Sequence, residues 1–189
     1  MILGITGGTG CGKTTLLNEI GHRGGLVLDC DAVYRDLLTR DTALLEAIEA
    51  RFPGVVAAGK LERKKLGAIV FADEKALLDL NTITHGAIKA EVLRRLAGGP
   101  ALAAIDAIAL FEGGLAALCD TTVAVTAPRA ERIERLMKRD GITREYAEKR
   151  IDAQKDESFF RENCAHVLVN DGTAEQFRDQ CAAFLDGIL

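Results

Sequence analysis

"GITGGTGCGKTT", Gly4 to Thr15, decides the fold of this chain. Within it, Gly7 to Thr14 fits the pattern G-x-x-x-x-G-K-[ST]. An apolar run, Ile2 to Thr6, precedes the pattern and reads as a buried strand. A helix-period segment, "KTTLLNEIGHR", follows it. Strand, glycine-rich loop and helix together are the context the pattern requires. The glycines let backbone N–H groups curl around a phosphate chain where a Cβ would obstruct the approach. The helix N-terminus adds its positive end. Lys13 is placed to reach the β- and γ-phosphates, and the Thr14 hydroxyl to hold Mg²⁺. Gly8, Thr9, Gly10, Cys11, Gly12, Lys13, Thr14 and Thr15 are therefore expected to cradle the phosphates of ATP or GTP.

Working outward, short apolar runs alternate with helical patterns. Leu26–Cys30, Leu102–Asp106, Thr122–Thr126 and Val167–Asn170 read as further buried strands, each bounded by Gly, Asp or Pro. The alternation predicts an α/β fold of phosphate-loop kinase type: a five-stranded parallel sheet with helices on both faces. The gap after the second strand is too long for a plain crossover. Between Asp31 and Gly99 no strand is evident, and "TALLEAIEARF", "RKKLGAIVF" and "EKALLDLNTITHGAIKAEVLRRL" read as amphipathic helices. Residues 32–99 are expected to form an inserted helical lobe within one 189-residue domain. Residues 128–163 form an arginine-rich, lid-like segment. There Pro128 suits a first helical turn, Asp140-Gly141 breaks the helix, and Thr143 caps the next. Thr173 and Gln176 have the spacing of a capping box opening a final helix.

Composition narrows the function classes. The apolar fraction of 48% supports a full core, and the formal charge of −4 comes with no basic block, so nucleic acid is not an expected partner. No run of about 18 uncharged apolar residues predicts a membrane span, and "MILGI" does not read as a signal peptide. Five unpaired-looking cysteines point to reduced thiols and a cytoplasmic setting, and three scattered histidines do not suggest a zinc site.

The acidic strand ends carry the chemistry. Asp29 and Asp31 are two apart where the second strand ends, and in open α/β sheets ligands bind beyond the carboxyl ends of the strands. Asp31 reads as a base for an acceptor hydroxyl or as part of a metal site, with capping of the next helix as the bland alternative; Asp29 reads as structural. A phosphate acceptor needs no base, so Asp31 favours an alcohol acceptor. Asp106 reads as a Mg²⁺ ligand, direct or through water, or as a plain strand-end turn. Glu112 reads equally as an acceptor contact or as the cap of a short helix after Gly114. Arg132, Arg135, Arg139, Arg144 and Arg150 are candidates to stabilise charge on a transferring phosphoryl group, with Arg139 favoured by the adjacent Asp140-Gly141 break. Cys11 reads as a thiol of lowered pKa beside Lys13, or as a small residue that merely fits. His85 reads as an acceptor contact or as filler. A kinase of another small alcohol is the near rival, and a nucleotide-dependent switch the distant one.

Taken in order, these segments resemble the dephospho-CoA kinase family over nearly the whole chain. "GITGGTGCGKT" is similar to the family's opening loop. "VLDCDAVYRDL" is similar to its D-x-D followed by arginine, which places Asp31 on the base position and Arg35 on the arginine. "GKLERKKLGAIVF" carries Arg63, and "THGAI" places His85 on the histidine of a His-Pro motif, with Gly86 where proline is usual. "IDAIALFE" matches an acidic segment ending at Glu112, with Ile108 where proline is usual. "KRDGITREYAEKRIDAQ" is similar to the lid, with Arg139, Arg150 and Gln154 matching. "HVLVNDG" resembles a late loop near adenine, with Asn170 and Gly172 matching and His166 where an aspartate is usual. The resemblance implies MgATP-dependent phosphorylation of the ribose 3′-hydroxyl of dephospho-CoA, giving CoA and ADP. It implies that the helical insert holds the acceptor, with Asp31, Arg35, Arg63, His85 and Glu112 as substrate-binding residues.

Overall fold

A computed structural model describes residues 1–189. Five strands, β1 (Ile2–Thr6), β2 (Leu26–Asp29), β5 (Ala103–Asp106), β6 (Thr121–Thr126) and β7 (His166–Val169), form one parallel sheet in the order β2-β5-β1-β6-β7. The expected sheet is therefore present. Its residues are buried continuously rather than alternately, because helices cover both faces. Leu3, Ile5, Val123 and Val125 pack on one face against α1 (Lys13–His22) and α9 (Ala174–Ile188). Leu28, Ile105 and Leu110 pack on the other against Val92 of α5 (Glu74–Leu96).

Two boundaries differ from the sequence reading. Cys30 does not end the second strand but begins α2 (Cys30–Arg40), because the Asp29 carboxylate accepts hydrogen bonds from the Asp31 and Ala32 amides at 2.8 and 3.0 Å. The capping duty considered for Asp31 thus belongs to Asp29. Pro128 stands just before α6 (Arg129–Asp140) as its N-terminal flanking residue. Gly141 ends α6 in the left-handed conformation, Thr143 caps α7 (Arg144–Asp152), and Thr173 and Gln176 form the reciprocal capping box of α9.

Residues 32–99 contain α2, α3 (Thr42–Arg51), α4 (Arg63–Val70) and α5, with a core of their own that includes Val33, Leu37, Ile48, Phe52 and Leu66. The expectation of no strand there is corrected. β3 (Val56–Ala57) and β4 (Lys60–Leu61) pair antiparallel across Ala58-Gly59, both at positive φ (49° and 72°). Strands of two residues are too short to show a period of two, and alanine is an unusual residue for a left-handed turn position.

One ionic network ties α2 to α5. Glu91, only 6% exposed, accepts hydrogen bonds from Arg94 and Arg95, and Arg40 of α2 lies 2.7 Å from it. Asp36 receives Arg40 and Arg95 at 2.7 and 3.0 Å. These arginines hold the Glu91 carboxyl far below the ordinary carboxylate range. Its contribution is therefore present above the unfolded pKa of about 4.3 and is lost as pH falls below it. Glu91→Gln is expected to lower stability by about 2 kcal/mol at pH 7, less than a fully buried pair because the arginines are partly solvated. Urea unfolding should show the difference shrinking towards acid pH; a constant difference across pH would refute the assignment.

Candidate active site

The parallel register brings three loops to one edge. Ile5 is level with Asp106, and Asp106 with Asp29. The loop from Gly7 to Gly12 leaves β1 and opens on a cavity of about 730 Å³. Its lining combines Gly8 to Thr14 with Asp31, Asp106 and Ile108, and with Arg135, Lys138, Arg139, Arg150 and Gln154 from the lid-like segment.

The loop's shape explains its glycines. Gly12 has φ 99°, and a Cβ there would lie 2.3 Å from Asn170 Nδ2. Gly7 has φ 131°, and a Cβ there would lie 2.1 Å from the Val125 carbonyl oxygen. Asn170 donates from Nδ2 to the Cys11 carbonyl at 2.9 Å, and Arg132 donates from Nε to the Thr9 carbonyl at 2.9 Å. The loop is thus clamped by its carbonyls. No side chain caps α1, so its first N–H groups open into the cavity, as an anion site requires. Lys13 Nζ donates to the Gly7 carbonyl at 2.9 Å, which folds the ammonium back over the loop.

Five cationic side chains and two carboxylates line this cavity: Lys13, Arg135, Lys138, Arg139 and Arg150 against Asp31 and Asp106. That balance suits a polyphosphate with a divalent cation. Burial pushes the Asp106 carboxyl up to about 6, with Asp29 and Asp31 adding to the effect and Lys13 opposing it. Asp106 Oδ1 is buried with no hydrogen-bond partner. An orphaned carboxylate oxygen in a cavity also lined by Thr14 and Asp31 is a source of hard oxygens that fits Mg²⁺, which takes one or two protein carboxylates and completes its shell with water and phosphate.

A second cavity of about 230 Å³ adjoins the first. Asp31 and Ile108 line both. Its other walls include Tyr34, Thr84, His85, Ile88 and Leu115, so it is mostly apolar.

The structure gathers Gly8 to Thr14, Asp31, Asp106 and Arg139 at the first cavity, and places His85 with Asp31 at the second. Thr15 lies in the first turn of α1, behind the lining. Asn170 supports the loop from beneath, and Gly172 lies with Val169 and Phe177 at a separate cleft. Arg35 sits 3.9 Å from Asp29, and Arg63 borders a cleft beside the β3–β4 hairpin. Glu112 is exposed, lines neither cavity, and makes no cap to the short 3₁₀ helix Ala116–Leu118. Of the five candidate arginines, Arg135, Arg139 and Arg150 line the first cavity and Arg132 supports the loop. Of the two readings of Cys11, the structure favours the small residue that merely fits over the activated thiol. Cys11 is 2% exposed, and burial pushes its thiol up despite Arg132 and Lys13. Tyr34 and Lys138 were not foreseen; as single residues on helical faces they carry no motif.

A parallel sheet of this order, a glycine-rich loop on its first strand and a cationic cavity against an acidic strand end define a phosphate-loop kinase of small molecules. The chain belongs to the dephospho-CoA kinase family, whose family model matches residues 1–176. It is 38% identical over 187 residues to the dephospho-CoA kinase of Deinococcus radiodurans, covering 97% of this chain and 90% of that one. A crystal structure from Thermus thermophilus superposes with a TM-score of 0.83 at 32% identity, covering 100% and 98% of the two chains. The dephospho-CoA kinase of Campylobacter jejuni shares the fold at a TM-score of 0.69 and 24% identity, covering 99% and 96%.

The raised Asp106 pKa has a consequence for the ligand-free protein. The folded carboxyl titrates at about 6 and the unfolded one near 3.9, so stability falls as pH rises between these values and stays low above them. Asp106→Asn is expected to raise stability at pH 7 by about 1–2 kcal/mol. Urea unfolding at pH 7 checks it; a variant no more stable than the wild type would overturn the desolvation account.

Proposed function

We propose that this chain transfers the γ-phosphoryl group of ATP to the ribose 3′-hydroxyl of dephospho-CoA, giving CoA and ADP. One observation carries the reading: Asp31 stands in the wall shared by the cationic cavity and the mostly apolar one. A carboxylate there meets both the phosphate donor and an acceptor seated against the helical lobe. Family membership supplies the acceptor's identity.

ATP phosphates lie along Gly8 to Thr15, against the open N-terminus of α1. Thr14 and Asp106 would hold Mg²⁺, which would supply neutralisation of phosphate charge when bound. Asp31 orients the acceptor hydroxyl and accepts its proton as the new O–P bond forms. Lys13 and Arg139 stabilise charge on the transferring group, and Arg135 and Arg150 extend that field. Residues 32–99 receive the acceptor through Arg35, Arg63 and His85, with Glu112 beyond β5 a further candidate contact. Residues 128–163 act as a lid that closes on the phosphates and excludes water, which limits ATP hydrolysis. Asn170 and Gly172 border the adenine end. No helix is long and apolar enough to cross a membrane, and all five cysteines are free, which supports a reducing cytoplasmic setting. The formal net charge of −4 favours small-molecule partners over nucleic acid.

Dephospho-CoA is expected to stimulate ADP release from MgATP, with a product heavier by one phosphoryl group in mass spectrometry. ATP binding without stimulation would refute the acceptor. Asp31→Asn is expected to cut kcat by about 10²-fold or more while ATP affinity, measured by calorimetry, stays near wild type. Near-normal turnover in that variant would remove Asp31 from the base role.

A further inference from the structure

Arg139 closes α6 and Arg150 lies near the end of α7, yet both reach the same cavity. Two guanidinium groups side by side repel one another and would spread apart in solvent. A single carboxylate holds them. Asp140 Oδ1 and Oδ2 accept from Arg139 Nε and Nη2 at 2.7 and 2.9 Å, a fork geometry, and Oδ2 also accepts from Arg150 Nη1 at 2.6 Å. Asp140 itself does not line the cavity, while both of its partners do. The carboxylate therefore grips the arginines from behind. It leaves Arg139 Nη1, and Nε and Nη2 of Arg150, free of bonds within the chain and available to a phosphate. The apolar contact of Ile133 and Leu136 with Ala147 and Ile151 fixes the two helices beneath this grip. The left-handed Gly141 makes the turn that sets Asp140 opposite Arg150. The two arginines keep the Asp140 carboxyl down at about 2, so it is ionised at any working pH.

We propose that Asp140 is a positioning residue that clamps Arg139 and Arg150 into one two-pronged phosphate-binding unit. The proposal rests on the reading above of this cavity as the phosphate site. Its physical content is pre-organisation: the clamp offsets the mutual repulsion of the two cations before the nucleotide arrives, so less conformational freedom is lost on binding.

A thermodynamic cycle tests it. Asp140→Asn keeps the shape and removes the charge. In the wild-type background it is expected to lower kcat about tenfold and to weaken MgATP binding several-fold, leaving KM for dephospho-CoA within about twofold. In an Arg139→Ala/Arg150→Ala background the same change is expected to do nothing further. Asp140→Glu, which keeps the charge on a longer stem, should recover part of the loss. Equal losses in both backgrounds would show that Asp140 acts on helix structure and not through the arginines, and no loss in the wild-type background would also overturn the clamp. Calorimetry with MgATP alone reads the cycle without any acceptor. Should dephospho-CoA prove not to be the substrate, the binding cycle still decides the clamp.

Discussion

The pairing of β1 with β5 on one side and β6 on the other is the constraint on which the rest depends. A parallel ladder sends every strand's carboxyl end to the same edge, and the register here sets Ile5 level with Asp106 and Thr6 level with Ala124. The glycine-rich loop leaves β1 directly after Thr6, so it turns over a rim already occupied by Asp106. β2 joins β5 with Asp29 level with Asp106, and Asp29 then starts α2 and sets Asp31 in its first turn. A slip of one residue in any of these pairings would carry an acid from the rim into the opposite face.

The phosphate loop is shaped from below as much as by its own glycines. Asn170, just past β7, grips the Cys11 carbonyl, and Arg132 of α6 grips the Thr9 carbonyl. Gln154 accepts from the Thr9 amide at 2.8 Å, so the segment after α7 also reaches the loop. Elements separated by more than a hundred residues thus share the work of holding one short turn. The close approach of Asn170 to Gly12 leaves no room for a side chain there.

Two kinds of environment meet at Asp31. On one side the cavity is strongly cationic, lined by Lys13, Arg135, Lys138, Arg139 and Arg150. On the other side the cavity is mostly apolar, suited to the non-reacting part of an organic acceptor. The helical lobe is packed on its own core, and its α2 is tied to its α5 through Arg40 and Glu91, so the apolar wall is firm. Asp140 extends the same logic to the lid-like side, where a carboxylate outside the cavity organises cations within it.

Much of this was legible in the chain because the information was local. The Gly7–Thr14 spacing, the buried runs and the caps at Thr143 and Thr173 depend on neighbours a few residues away, and they predicted the sheet, the loop and most helix ends. Asp31 and Asp106 were reachable by one further rule, that ligands gather at strand ends, and Arg139 by its place beside the Asp140-Gly141 helix break. What stayed hidden depends on distance in space. The β3–β4 hairpin is too short to carry a period, and Glu91 reads as one more charge on a helix until three arginines close on it. Sequence leaves Cys11 open between a thiol activated by Lys13 and a small residue that fits; burial decides it, outweighing the nearby charge and raising the pKa. The sequence by itself determined the phosphate loop and the alternation of strands and helices, because hydrogen-bonding pattern and side-chain period are local properties of the backbone. Only the tertiary structure decided which charges face one another, as with Asp140 and its two arginines, because electrostatic partnership is set by separation in space and by exclusion of water, and neither is written in residue order.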